Sequence, residues 1–262
     1  MLYPRIIPCL LVRNKGLVKT INFKDSKYIG DPINAVRIFN EKEVDELMVL
    51  DIDATLDKRE PDYHMIEHLA AECRMPLCYG GGVTTSDQVR KIIQLGVEKV
   101  AISSAAIKNP ALITEAAEHV GSQSIVVVLD VKKSPKSVSY EVWIQGGCQA
   151  TGKRPSELAF EMEKLGAGEI VLNSIDNDGL MKGYDFVLID TVRKVIGIPL
   201  TVLGGAGSLN DIAQLIHRYG TIGAAAGSLF VFKGTYKAVL INYPNRVDKA
   251  KLMENSFFNI SS

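Results

Sequence analysis

The sequence predicts a (β/α)8 TIM barrel assembled from two similar half-barrels, on three observations. First, PLCYGGGVTTSDQV, beginning at Pro76, and PLTVLGGAGSLNDI, beginning at Pro199, lie 123 residues apart. They share a proline-led apolar run, a glycine cluster, then Ser or Thr and an Asp. Glu46 and Asp53 of DELMVLDID recur at the same separation as Glu169 and Asp176 of GEIVLNSID, which marks an internal repeat. Second, short apolar runs alternate with amphipathic stretches of helical length, as in a parallel sheet covered by helices. Third, 262 residues, 47% of them hydrophobic, suit one barrel and its core.

Eight runs supply the strands: RIIPCLLV, ELMVLDI, PLCYG, KVAIS, SIVVVLD, EIVLN, PLTVLG and IGAAA. Their nearly continuous apolar character is that of strands buried on both faces. Among the helices, Asn109-Pro110 precedes ITEAAEHV, and Arg154-Pro155-Ser156 precedes ELAFEMEKLGA. Gly96 and Gly166 follow leucines at helix ends, where a left-handed cap favours glycine. Two joins are longer than a connection requires. One runs from Arg13 to Asp31 and carries Arg13, Lys15, Lys19, Lys24 and Lys27. The other runs from Val131 to Gly152, where SYEVW before Gly146-Gly147 alternates like a small hairpin. Both follow strand C-termini and so lie on the presumed active rim, where long loops are expected to act as lids. Residues 1–234 form the barrel core. Residues 235–262 add a C-terminal helix and a polar end, NSFFNISS, to the same single domain.

Thirty basic and thirty acidic residues cancel, so charge gives no argument for nucleic acid or a membrane surface. No run approaches the roughly 20 apolar residues of a spanning helix. MLYPRIIPCLLV, broken by Pro4, Arg5 and Pro8, lacks the basic start and the length of a signal peptide, and a cytoplasmic location is expected. Cys9, Cys73, Cys78 and Cys148 form no CxxC pair and read as free thiols. His64 and His68, four apart without a third ligand, read as exposed helix residues. Neither a metal nor a cofactor is expected.

The candidate site residues follow from the barrel. Gly82 of Gly80-Gly81-Gly82, and Gly204-Gly205, each follow a strand, and glycine lets backbone N–H groups approach a ligand closely. Ser103-Ser104 and Gly227-Ser228 close the partner runs and add donors. Two such cradles imply a ligand phosphorylated at both ends and spanning the mouth. Asp130 ends its strand inside the rim, well placed for proton transfer, although a loop cap or an ion pair with Lys132 or Lys133 is an alternative. Leu11 occupies the matching place in the first half and cannot carry a proton. Asp51, Asp53, Asp176 and Asp178 also sit at strand ends, available to orient ligand hydroxyls or act as a substitute acid. Arg5, Glu46, Lys99 and Glu169 stand at strand starts, which converge on the barrel floor as a ring of salt bridges.

From RIIPCL to about Gly234 the chain resembles the cyclase subunit of imidazole glycerol phosphate synthase. The most specific stretches are RIIPCL, Gly30-Asp31-Pro32, DELMVLDI, GGGV, EKVAIS, NPALITEAAEHVGSQSIVVVLD, GAGEIVLNSIDNDG followed by GYD, and LGGAGS. The resemblance implies a lyase-type cyclase that uses ammonia on a bis-phosphorylated ribulosyl substrate. It also implies a glutaminase partner that docks on the floor and sends ammonia through the barrel. Arg5, Glu46, Lys99 and Glu169 match the family's gate. Gly82, Gly204, Gly205 and Ser228 match its phosphate sites, and Lys19 matches in the first loop. Asp130 matches one of two catalytic aspartates; the other falls on Leu11. Ser103 replaces a usual asparagine, Gly227 a usual alanine and Asp53 a usual threonine. These departures resemble a branch that supplies ammonia to a separate sugar amidotransferase in surface-polysaccharide (lipopolysaccharide, O-antigen) synthesis. Two alternatives stay open: an active cyclase of histidine biosynthesis, with Asp176 or Asp53 covering for Leu11, and a non-catalytic barrel that activates its glutaminase.

Overall fold

In the computed structural model, which describes residues 3–134 and 139–254, eight parallel strands close into a barrel. They are β1 (Arg5–Arg13), β2 (Leu47–Asp51), β3 (Leu77–Gly80) and β4 (Lys99–Ile102) of the first half. The second half contributes β5 (Ile125–Lys133), β6 (Glu169–Ser174), β7 (Leu200–Leu203) and β8 (Gly223–Ala226). Each pairs with the next in chain order, and β8 returns to β1 with Arg5 opposite Gly223. Alternate residues face opposite sides of such a wall. Ile6, Leu10, Val49 and Val127 therefore join the core between strands and helices, while Ile7, Cys9, Met48, Cys78, Val126, Val128 and Val171 pack inside the barrel.

The outer helices are α1 (Pro32–Glu41), α2 (Tyr63–Glu72), α3 (Ser86–Gln94), α4 (Ala111–Val120), α5 (Pro155–Lys164), α6 (Phe186–Arg193), α7 (Leu209–Tyr219) and α8 (Arg246–Glu254). The internal repeat has a local cause at α3 and α7. Thr85 and Gln88 form a reciprocal cap on the first, and Ser208 and Asp211 form one on the second. Each helix thus starts at a fixed distance after its glycine turn. Gly96 and Gly166 end α3 and α5 with φ of +99° and +109°, a region that glycine enters without steric cost.

The long joins are more regular than loops. After β1, Gly16–Ile21 and Lys24–Gly30 form an antiparallel hairpin that continues the sheet. Its turns place Asn14, Lys15, Asn22 and Phe23 at positive φ. β5 pairs with Tyr140–Ile144, which turns through Gly146-Gly147 onto Gln149–Ala150, giving the hairpin that the alternation of SYEVW predicts. The tail departs from the expected continuous helix. Phe232–Lys233 and Ala238–Val239 pair first, and the chain then runs along the barrel wall to α8. Tyr243 holds this stretch by donating to the Ile6 carbonyl at 2.8 Å, and Lys249 pairs with Asp45 at 2.8 Å. NSFFNISS lies outside the described residues. Among those described, no helix is long and apolar enough to cross a membrane.

Candidate functional site

The floor is built by the first inward-facing residue of several strands. Arg5 bonds Glu46, and its Nη2 donates to Glu169 Oε1 at 2.7 Å. Lys99 Nζ lies 2.9 Å from both Glu46 oxygens and 2.8 Å from Glu169 Oε2. The four charged side chains thus meet in one ring. Burial opposes ionisation of Glu169, but Arg5 and Lys99 overcome it and hold its carboxyl below the ordinary range. Burial likewise works against the Lys99 charge, and Glu169 and Glu46 raise its pKa nonetheless. Thr201 is a fifth member that the sequence reading did not single out. It is fully buried and its Oγ1 donates to Glu169 at 2.5 Å. Its signal was a lone polar residue inside the apolar run PLTVLG. Between the ring and the mouth lies an apolar cluster on the inside of the barrel.

One cavity opens at the C-terminal ends of the strands. Leu11, Lys19, Gly82, Ser103, Ser104, Asp130, Gly204, Gly205, Gly227 and Ser228 all line it. Asp130 accepts from Asn173 Nδ2 at 2.9 Å and Ser103 Oγ at 3.4 Å. Burial pushes its carboxyl up to about 6 against these two hydrogen bonds, and the nearby Asp178 charge adds to the rise. The ion-pair alternative for Asp130 falls away. Lys132 donates instead to the Gly147 carbonyl at 2.9 Å over the Trp143 ring, and Lys133 pairs with Asp185 at 3.7 Å. Across the mouth Leu11 and Leu50 pack on the inner apolar cluster.

The other carboxylates divide sharply. Asp178 lines the cavity, accepts from Thr20 Oγ1 at 2.7 Å and from the Phe23 N–H at 3.2 Å, and has its pKa raised by burial. These bonds latch the first hairpin across the mouth. Asp176, two residues earlier, is exposed, lies outside the cavity lining and accepts the Lys133 N–H at 2.8 Å. Asp53 is also outside the lining and pairs with Arg13 at 2.9 Å. Asp51 lines the cavity but caps its own loop, accepting the Asp53 and Ala54 N–H groups at 3.1 Å each. Of the expected substitute acids, Asp53 is engaged by Arg13 and Asp176 by the Lys133 N–H, both outside the lining, and the short turn at Ile175–Asn177 leads instead to Asp178 on the cavity. Asn173, which positions Asp130, also went unread in the sequence; its Oδ1 is buried without a partner.

The glycines of the cradles have structural work as well. A Cβ at Gly205 would fall 2.1 Å from the Gly183 carbonyl, and Gly205 has φ of +115°. The Ser104 hydroxyl accepts the Gln145 N–H at 2.9 Å, tying the second hairpin to the first cradle. His64 and His68 are exposed with rings 4.2 Å apart, and no group of three or more metal-ligating side chains is found among the described residues.

A family model described as histidine biosynthesis protein matches residues 5–237. The chain belongs to that family. Within it, the chain is 59% identical over 252 residues to a Leptospira borgpetersenii protein provisionally named imidazole glycerol phosphate synthase subunit HisF, covering 96% of this chain and 99% of that protein. A Pseudomonas aeruginosa protein provisionally named as subunit hisF2 is 48% identical over 250 residues, 95% of this chain and 99% of its own. The HisF subunit of Lactococcus lactis subsp. cremoris strain SK11 is 43% identical over 230 residues, 88% and 89% of the two chains. The chain is thus a HisF-type barrel, of the kind that serves as the cyclase subunit of imidazole glycerol phosphate synthase.

Proposed function

We propose that this HisF-type barrel receives ammonia from a glutaminase subunit docked on its floor and passes it to the amidation of a sugar precursor in surface-polysaccharide synthesis. A sugar amidotransferase would be the third partner. The observation that carries this reading is Leu11 facing the mouth opposite Asp130. One general acid or base contributes about 10²–10⁴-fold to rate, so a mouth with half of the pair is poorly equipped for the cyclase reaction. The floor ring keeps all four charged residues, and an apolar interior favours neutral ammonia over the ammonium ion. The numbered name of the Pseudomonas aeruginosa relative, hisF2, is in keeping with this reading.

A second reading is favoured by one observation. Asp178 faces the cavity with a raised pKa and would serve as the second proton carrier of a working cyclase in histidine biosynthesis. The cavity itself, with both glycine turns on it, speaks for a phosphorylated small-molecule ligand and against a barrel that only activates its glutaminase. The test is ammonia-driven cyclase turnover with the bis-phosphorylated ribulosyl substrate, run beside the Lactococcus lactis HisF subunit. The expected rate is at least about 10²-fold lower. Comparable turnover would overturn the proposal in favour of the second reading.

A further inference from the structure

Lys19 is a buried lysine with an unusual seat. It stands on the hairpin strand Gly16–Ile21, is 6% exposed, and its Nζ donates to the Cys9 carbonyl at 2.6 Å. The charged and titratable groups around it are the Cys9 thiol of β1 and Asp178 of the loop after β6; Asp130 of β5 lines the same cavity. Its hydrogen-bond partner is thus a carbonyl and not a carboxylate. Burial lowers the pKa of an amine held this way, and the Cys9 thiol and Asp178 offset it only in part without bonding it.

The seat exists because residue 227 is glycine. A Cβ there would fall 2.2 Å from Lys19 Nζ and 3.1 Å from its Cε, with the Cys9 carbonyl next at 3.3 Å. Backbone conformation does not demand glycine. Gly227 has φ of −101° and ψ of −73°, and Ser103, which ends β4 as Gly227 ends β8, carries a side chain at φ of −114° and ψ of −93°. What distinguishes position 227 is the lysine resting on it.

We infer that Gly227 is a positioning residue, whose missing side chain seats the Lys19 amine beside the second glycine turn to meet a phosphate monoester there. The inference rests on the reading of Gly204, Gly205 and Ser228 as a phosphate site. The phosphate supplies a directly bonded counter-charge that the seat lacks, and because Lys19 belongs to the hairpin that Asp178 already latches, anion binding tightens that hairpin further.

Gly227→Ala, Lys19→Met and their combination test this in two ways. The displaced group is the free end of a lysine, so the alanine variant is expected to fold, and an unchanged melting temperature checks it. By NMR of ¹⁵N-lysine-labelled protein, Lys19 is expected to titrate below the exposed lysines in the unaltered chain and to rejoin them in Gly227→Ala. In calorimetric titration with inorganic phosphate, each single change is expected to weaken binding about ten- to a hundredfold, and the double change no further. An unmoved Lys19 titration in Gly227→Ala would overturn the seat. Additive losses would also overturn it, because the glycine would then act through its own backbone. No phosphate binding by the unaltered chain, with the Lys19 titration shifting as expected, would remove the phosphate reading and leave the seat standing.

Discussion

The second half-barrel presents Asp130 to the mouth, and the first presents Leu11 at the matching place on β1. The scaffolds beneath are alike: a glycine turn, a capped helix and a strand ending in small residues recur in each. Asp130 is held by Asn173 and Ser103, whereas Leu11 rests with Leu50 on the apolar interior. Their lids differ too. The first half's Ser104 is bonded by the hairpin that follows β5, and the second half's Gly227 receives Lys19 from the hairpin that follows β1. Each half is thus roofed by the other's long join. A duplicated fold fixes where a site lies, while the rim residues decide which chemistry each half retains.

The halves agree at the floor, where each contributes one carboxylate, Glu46 or Glu169, to one ring. Breaking that agreement is expected to have the largest cost. Lys99→Ala leaves two buried carboxylates sharing Arg5, and should cost about 3–5 kcal/mol in denaturant unfolding. In complex with the glutaminase it should also uncouple glutamine hydrolysis from ammonia use; unchanged coupling would make the ring purely structural. Thr20→Val removes the hydroxyl that latches the hairpin onto Asp178, and should cost roughly 1.5–3 kcal/mol. Faster amide exchange confined to the hairpin and the loop after β6 would mark the latch.

The smallest effects concern pH, and floor and mouth have opposite signs. Asp130 holds its proton more tightly folded than unfolded, so its contribution to stability is present below its ordinary pKa and lost as pH rises to about 6. Asp130→Asn should flatten that part of the stability profile. Glu169 has a depressed pKa, so its contribution is present above the ordinary value and is lost as pH falls through the folded one. A Glu169→Gln variant should lose the acid limb alone. Unaltered profiles in both variants would contradict these assignments.

Much of the scaffold was legible because strand burial and glycine spacing leave periodic marks. The apolar runs, the helix ends at Gly96 and Gly166, and the repeat all follow from local sequence. The floor residues meet because strand starts in a barrel converge, whatever joins them. Beyond the strand ends no period holds. A short turn decides that Asp178 and not Asp176 faces inward, and five non-glycine residues at positive φ (Asn14, Lys15, Asn22, Phe23 and Asp25) shape the hairpin that carries Lys19 inside. Asn173 and Thr201 were hidden for another reason. Each is an ordinary polar residue in an apolar strand, and its importance appears only beside Asp130 or Glu169.

Leu11→Asp, assayed with saturating ammonium salt and the ribulosyl bis-phosphate, tests most directly whether the mouth has lost half of its proton-handling pair. The account predicts a gain in cyclase turnover of about 10²–10⁴-fold over the unaltered chain. Full turnover in the unaltered chain, with no gain on introducing the aspartate, would contradict it.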